Sequence, residues 1–292
     1  MSTAMETRSS NKIAPAHLHK RTKSAWLVLF GVLATALVWL FPLYIAMANA
    51  LKRQPEFVES GPLALPKGFD LTNLKDFWTA TNFTEKLFNS FQISISVAVI
   101  AVALSFLTAY AIGIGRVKGR MGILAFFMVT FTIPQEAMVY PFYKVAKMLN
   151  LYDNKVSVIL VFGVLSVGFG TYMLSSVLST FPEEILESAK IDGAGPWRIM
   201  RSIVLPLMRP TLFVLATMFF IYTWNEFLIP MILLPSNENQ TVTLAMGVTT
   251  GQFTNDPTAR AAAAMVGFLP SVIFFLLFQR TMMRGITVGS VK

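Results

Sequence analysis

The sequence has no cysteine, only two histidines and few charged residues, and each scarcity excludes a class of protein or site. Without cysteine, no disulfide bond and no thiolate metal site can form. Only 13% of the residues are charged whereas 54% are hydrophobic, a ratio poorly suited to a soluble domain. The Gly-x-x-x-x-Gly-Lys-Ser/Thr phosphate loop is also missing, so the chain does not bind ATP by that device.

The remaining polar residues predict neither a metal site nor a nucleic-acid interface. His17 and His19 lie in the N-terminal tail without further ligands nearby, so we expect no metal site. The net charge of +9 would suggest nucleic acid in a soluble protein, but no basic patch here is interleaved with aromatic residues. The positive charge flanks long apolar runs instead, which predicts a lipid bilayer as the surroundings.

Six apolar runs are long enough to cross a membrane. A bilayer core about 30 Å thick requires about 20 apolar residues in a helix, and a helix satisfies its own backbone polar groups. The predicted fold class is therefore an all-α membrane protein with six transmembrane helices. The predicted spans cover about residues 24–51, 87–115, 121–143, 156–178, 210–234 and 261–282. Residues 1–23 are predicted to be a disordered tail, and the first run is too long to be the apolar region of a signal peptide.

Lysine and arginine predict the orientation. Most of the 24 basic residues lie in four segments that share one side if six spans alternate: the tail, the turn after the second span, residues 179–209, and the C-terminal end. The positive-inside rule makes that side cytoplasmic, with both termini inside. The exception is the basic group Lys144, Lys147 and Lys155, which is predicted to lie outside.

The polar segment over residues 179–209 is predicted to form two short helices joined at a glycine. Pro182 and the glutamates after it suit the first turn of a helix, and Asp192-Gly193 suits its end, because glycine tolerates a left-handed conformation. Pro196 opens a second helix, which Leu205-Pro206 is predicted to end before Pro210 opens the next span. Such a hairpin either docks a soluble partner or lies on lipid headgroups.

The hairpin resembles the EAA loop of binding-protein-dependent ABC importer permeases. The family pattern is Glu-Ala-Ala, three residues, Gly, nine residues, Ile, one residue, Leu-Pro, and Ser188 replaces its middle alanine. The resemblance implies that this loop couples the permease to a cytoplasmic ATPase. The implied coupling residues are Glu187, Ser188, Ala189, Asp192, Gly193, Ala194, Ile203, Leu205 and Pro206.

Two further segments extend the resemblance over nearly the whole chain. Trp-Asn-Glu-Phe at residues 224–227 and the ending Arg-Gly-Ile-Thr-Val-Gly-Ser-Val-Lys at residues 284–292 are similar to segments of carbohydrate-uptake permeases. The chain therefore resembles the shorter, six-span permease subunit of maltose-transporter-type systems, with a type I ABC importer fold, in the plasma membrane of a bacterium or archaeon. The resemblance implies four kinds of partner: a second, longer permease subunit, two ABC ATPase subunits that carry the ATP and Mg²⁺, and an extracytoplasmic sugar-binding protein. That binding protein is expected to touch residues 52–86 and 235–256.

Acidic residues inside predicted spans are candidates for the substrate pathway, because a buried ionisable group in a membrane is costly. Glu226 has two interpretations, a contact with sugar hydroxyls or a bond between helices. Glu136 likewise suits either a gate near a proline kink or the membrane interface. The candidates are Trp224, Asn225, Glu226, Gln135 and Glu136.

Three other functions compete with a sugar importer. A secondary transporter or channel would need its own coupling-ion site or pore, usually within repeated halves, and no convincing repeat is present. A membrane scaffold that recruits an ATPase would need no polar residues in its spans. An ABC importer for glycerol phosphate or another polar solute would favour basic residues in the pore, and the spans offer none.

Overall fold

The computed structural model describes residues 23–115, 117–252 and 256–288, which form helices and connecting loops without a strand. The helices are α1 (Lys23–Ala50), α2 (Gln54–Ser60), α3 (Thr72–Ala80), α4 (Phe83–Gly113), α5 (Arg120–Thr132), α6 (Val139–Met148), α7 (Lys155–Leu178), α8 (Glu183–Ile191), α9 (Pro196–Ile199), α10 (Leu205–Asn225), α11 (Leu228–Leu233), α12 (Val242–Gln252) and α13 (Pro257–Val288). The chain forms two compact units, residues 1–45 and 46–292. The tail predicted to be disordered lies outside the described residues except for Lys23, as do the last four residues of the chain.

Within the described residues, five stretches of helix are long and apolar enough to cross a membrane: α1, α4, α7, the run Pro196–Asn225 and α13. A sixth is a broken pair, α5 followed by Gln135–Met148, whose two parts meet at a bend of 85°. These helices confirm the predicted all-α membrane fold, with six spans if the broken pair counts as one span and five if it does not.

The break in the third predicted span lies at Pro134. The residue before a proline is disfavoured in the helical region, and Ile133 accordingly has an extended backbone with ψ of 123°. The chain then resumes as a 3₁₀ turn, Gln135–Met138, that leads into α6. The break therefore sets Gln135 at a helix end within an otherwise apolar stretch.

The centre of the larger unit is the packing of α4 against α7 and α10. Small residues allow α4 and α7 to approach closely, as is usual in membrane helix pairs. A Cβ added to Gly113 would lie 2.9 Å from Leu178 Cβ, and one added to Gly170 would collide with the Ser105 side chain. Substitution of either glycine would thus push the two helices apart.

Aromatic rings join α10 to α13. The rings of Trp224 and Phe274 have centroids 4.7 Å apart, and those of Phe220 and Phe274 are 4.8 Å apart. Trp224 is only 3% exposed. Edge-to-face rings at these distances stabilise a helix pair beyond the burial of their area.

The loop between α1 and α4 is folded around a buried lysine. Lys52 is fully buried, and its ammonium donates to Asn49 Oδ1 at 3.2 Å and to the Gly61 carbonyl at 2.9 Å. Nearby, hydrogen bonds from Thr72 and then from the Arg53 guanidinium hold the pKa of Asp70 well below its usual range. The loop is therefore an ordered structure containing α2 and α3, as its proline and glycine content alone does not indicate.

Candidate functional site

The first candidate site is the helical hairpin, residues 179–209. Helix α8 ends at Ile191, and two hydrogen bonds close its turn: Ala194 N donates to the Ala189 carbonyl at 2.9 Å, and Gly193 N donates to the Lys190 carbonyl at 3.0 Å. This pair of hydrogen bonds requires a residue in the left-handed conformation after the helix cap, and Gly193 has φ of +74°. The predicted glycine turn is confirmed, with Asp192 as the cap residue.

The predicted coupling residues divide into an inward and an outward set. Ala189 is buried, and Ala194, Ile203 and Leu205 pack against the same core cluster as α4. The outward set is exposed at the end of the hairpin: Glu187, Ser188, Asp192 and Gly193. The hairpin therefore combines a packed base with an exposed tip, the arrangement that a docking element requires.

Sequence analysis did not single out Ile191 and Trp197, which lie at this exposed tip. Ile191 is 86% exposed and Trp197 is 68% exposed. Large apolar side chains at the end of a charged hairpin are typical anchors for a partner. Apolar spacing on α8 gives no signal for Ile191, because the residues four and three positions before it are Glu187 and Ser188.

The second arm of the hairpin differs from the prediction. Leu205-Pro206 was expected to end it, but the helix continues without a break from Pro196 to Asn225. A π-helical turn over Met200–Val204 joins α9 to α10, and Leu205 N donates to the Met200 carbonyl. The wider turn accommodates Pro206, because a proline has no N–H to donate and its ring would clash in a regular turn.

A hydrogen bond attaches the hairpin to a spanning helix. Tyr110 OH near the end of α4 donates to the Pro196 carbonyl at the start of α9, at 2.9 Å. The buried side chains of Ile199 and Val204 pack into the core cluster that includes Ala109 of α4. Movement of the hairpin tip is thereby tied to α4 as well as to α10.

The second candidate site joins residues that are far apart in sequence. Gln135, at the break after α5, donates from Nε2 to Glu226 Oε2 at 3.2 Å, and its Oε1 accepts from Tyr222 OH at 3.1 Å. Glu226 itself terminates α10, and its Oε1 accepts from Leu228 N at 3.1 Å. Two of the five predicted pathway residues thus meet in one network, together with a tyrosine that the sequence did not indicate.

This network borders a cavity of about 410 Å³ between α5, α7 and α10. Aromatic rings of Phe169, Phe219 and Tyr222 form part of its wall. Polar groups come from Thr130, Thr132, Ser166 and Gln135. Flat rings with a few hydroxyl and amide groups suit a sugar, which presents apolar ring faces and many hydroxyls.

The other three pathway candidates lie differently. Trp224 is buried among the aromatic rings between α10 and α13, where it packs two helices together. Asn225 Nδ2 donates to the Ile221 carbonyl one turn earlier at 2.8 Å, and Glu136 is exposed beside the helix break. Gln135 and Tyr222 therefore line the cavity, and Glu226 joins them through its hydrogen bond with Gln135.

At the end of the molecule opposite the hairpin, a polar network holds the segment that connects α11 to α12. The Lys155 ammonium donates to Asn89 Oδ1 and Gln92 Oε1, both at 3.0 Å, and Asn89 Nδ2 donates to the Glu238 carbonyl at 2.7 Å. The fully buried Lys86 ammonium donates to the Asn237 carbonyl. Residues 235–256 are therefore anchored at their start, and they contain helix α12.

Asp153 completes this anchor from the turn before α7. Its Oδ1 accepts from Ser236 N at 3.2 Å and from Ser236 Oγ at 2.9 Å, and its carbonyl accepts from Asn239 Nδ2 at 2.7 Å. Asp153 has φ of +58°, a conformation that aspartate tolerates better than most residues. The connection between α11 and α12 is thus fixed by side chains of α4 and by Asp153 in the turn that precedes α7.

Comparison with known proteins places the chain in context. The sequence pattern of the family described as "Binding-protein-dependent transport system inner membrane component" matches residues 88–288. The inner membrane ABC transporter permease protein YcjP of Escherichia coli is 31% identical over 94% of this chain and 99% of that protein. The trehalose transport system permease protein SugB of Mycobacterium tuberculosis is 28% identical over 93% of this chain and 98% of its own length.

Two more relatives bear on the cargo and the fold. The sn-glycerol-3-phosphate transport system permease protein UgpE of Escherichia coli is 29% identical over 89% of this chain and 96% of that protein. A crystal structure of a bacterial ABC transporter involved in the import of the acidic polysaccharide alginate contains a chain with a TM-score of 0.73 at 20% identity, covering 89% of this chain and 98% of that one. The likeness establishes the fold of an ABC importer permease.

Proposed function

Because this chain belongs to the family of binding-protein-dependent transport system inner membrane components, we propose that it is one permease subunit of an ATP-driven sugar importer. It is a multi-pass component of the inner membrane and a transporter subunit rather than an enzyme. The hairpin with its left-handed turn at Gly193 is the observation that carries the proposal, because it offers a packed base and an exposed tip to a soluble partner.

The hairpin is the proposed contact with the ATPase. Glu187, Ser188, Asp192 and Gly193 face outward at its tip, and the exposed side chain of Ile191 supplies an apolar anchor. ATP and Mg²⁺ would reside on that partner, since this chain lacks the phosphate loop. Closure of two ATPase subunits would draw two such hairpins together, and the spanning helices would follow as rigid bodies.

The partners follow from the same assignment. A second, longer permease would complete the translocation pathway, and two ATPase subunits would bind on the cytoplasmic side, where the positive-inside rule places the hairpin. An extracytoplasmic binding protein would dock on the opposite end. The ordered loop between α1 and α4 and the anchored connection between α11 and α12 are the surfaces proposed for it.

The pathway is proposed to pass the cavity beside Gln135, Glu226 and Tyr222. Their amide, carboxylate and hydroxyl groups already bond to one another, so a sugar would exchange its hydroxyls into an existing network at little cost. Relatives named for trehalose, diacetylchitobiose and starch degradation products favour a carbohydrate cargo. The relative named for sn-glycerol-3-phosphate marks the alternative, because polar solutes with a phosphate use permeases of similar sequence.

The first experiment identifies the cargo. The chain is purified with the proteins encoded beside its gene, and ATPase activity is measured with the cognate binding protein loaded with trehalose, chitobiose, maltose or glycerol 3-phosphate. We expect strong stimulation by one carbohydrate. Stimulation by glycerol 3-phosphate alone would show that the cargo is a phosphorylated solute rather than a sugar. Transport driven by an ion gradient without ATP would overturn the proposal.

The second experiment tests the hairpin with two matched glycines. Gly193 and Gly195 both have open space where a Cβ would lie, but only Gly193 has a positive φ. Gly193→Val places a β-branched residue at a positive φ, which should cost at least about 1–2 kcal/mol of backbone strain in the turn. It should uncouple ATP hydrolysis from uptake. Gly195→Val should retain both activities. Normal uptake by Gly193→Val would contradict the coupling role.

A further inference from the structure

A groove of about 610 Å³ runs between α4 and α10 on the hairpin side of the molecule. Its lining side chains are apolar except for two arginines, Arg201 and Arg209. Val99 and Phe106 of α4 contribute to one wall, and Phe213 of α10 contributes to the other. The groove therefore suits an apolar ligand chain, and the two positive charges of the groove lie toward one of its ends.

Helix length places the two arginines on either side of the expected edge of the hydrocarbon core. The helix Pro196–Asn225 has 30 residues and is about 45 Å long at 1.5 Å per residue, whereas the hydrocarbon core is about 30 Å thick. If the core takes the last twenty residues or so, it begins near Pro206. Arg209 then lies just inside this boundary and Arg201 just outside it, with Trp197 one further turn out.

Both guanidinium groups are open to a ligand. Arg201 and Arg209 are exposed, and no carboxylate in the described part of the chain forms an ion pair with either. Among the residues that the structure describes, no acidic side chain lines the groove. Tryptophan beside arginine at the membrane interface is the composition expected where a headgroup meets protein.

We propose that this groove binds an anionic phospholipid of the leaflet on the hairpin side. Its phosphate lies between Arg201 and Arg209, and one acyl chain follows the apolar walls of α4 and α10. A partner helix would have to bury two guanidinium groups in the same place, which is costly without a matching anion. The lipid touches the second arm of the hairpin, and the Tyr110–Pro196 hydrogen bond ties this arm to α4, so the lipid supports the hairpin position independently of the cargo.

The test counts lipids on the assembled importer. The complex is stripped of lipid in detergent and titrated with phosphatidylglycerol or phosphatidylcholine, and bound molecules are counted by native mass spectrometry. We expect one site that prefers phosphatidylglycerol. The double variant Arg201→Gln/Arg209→Gln should weaken it roughly thirtyfold, from about 1 kcal/mol for each basic residue. Arg198→Gln is the matched control, since Arg198 is exposed on the same hairpin but does not line the groove.

A second variant tests the acyl chain without changing charge. Ala103 lines the groove and is exposed, so Ala103→Phe should fill it and abolish the site, whereas Ala125→Phe at an exposed position on α5 should not. Equal binding of both lipids, or unchanged binding by both groove variants, would overturn the proposal. So would crosslinking of Ala103→Cys to a protein segment in the complex, a clean experiment because the chain has no other cysteine.

Discussion

The cations at the two ends of the molecule are used in opposite ways. At the end that holds the segment between α11 and α12, Lys86 is fully buried and Lys155 is hydrogen-bonded to two side chains of α4. On the hairpin, Arg198, Arg201 and Arg209 are exposed. Bonded cations hold one end of the structure together, whereas the exposed ones remain available to a partner or to lipid.

This difference bears on the three lysines that were the exception to the predicted orientation. Lys155 was counted as a loop charge, yet its ammonium belongs to the structural network. Lys147 lies 3.9 Å from the centre of the Tyr152 ring, a cation–π contact. Two of the three lysines that were the exception therefore have a structural role, whichever side of the membrane they face.

The largest effect on stability is expected at Asp153. Asp153→Ala removes the acceptor for Ser236 and places alanine at φ of +58°, so we expect a loss of about 2–4 kcal/mol. Asp153→Asn keeps an acceptor and a side chain that tolerates this backbone, and should lose less than half as much. Thermal unfolding of the purified complex measures both. Equal losses would show that neither the backbone nor the acceptor matters.

The substitution Lys86→Met tests the difference between the buried and the exposed cations directly. It leaves the Asn237 carbonyl without its charged donor, and a hydrogen bond of that kind contributes about 1.5–3 kcal/mol. On the hairpin, Arg198→Gln should change stability by less than about 0.5 kcal/mol, because the side chain is exposed. Denaturant titration of the two variants side by side provides the measurement. Similar losses of unfolding free energy in the two variants would mean that the cations at the two ends contribute equally to stability.

The smallest effect is a pH dependence in the loop between α1 and α4. Hydrogen bonds from Thr72 and Arg53 lower the pKa of Asp70 in the folded state, so its ionised form favours folding. The contribution is complete above the unfolded pKa of about 4 and is lost as pH falls toward the folded pKa. The free energy of unfolding of the wild type should therefore be slightly larger than that of Asp70→Asn at pH 7, and this difference should become smaller at pH 3. A difference in unfolding free energy that grows on acidification would contradict this.

The sequence was sufficient for features that depend on local pattern. Apolar runs predict the spans, and the hairpin turn follows from glycine after a short helix, since only Gly193 there adopts a positive φ. The course of the chain at Pro206 could not be predicted, because proline often ends a helix, whereas here a π turn carries the helix past it.

Features that depend on tertiary contacts could not be predicted either. Gln135 and Glu226 were separate candidates, and nothing in one sequence indicates that residues 91 positions apart share a hydrogen bond. Lys52 and Lys86 resemble ordinary loop lysines, yet both are fully buried because backbone carbonyls converge on them. In each case the partner lies on another element, and burial follows from packing.

The unbroken helix from Pro196 to Asn225 connects the hairpin rigidly to the cavity. It carries Trp197 at one end and Tyr222 at the other, on a rod about 45 Å long. Tilting such a rod by about 5° around its midpoint would displace the two ends by about 2 Å in opposite directions. An inward pull on the hairpin would therefore swing the cavity end outward, so the tilt of one helix would couple the hairpin to the proposed pathway.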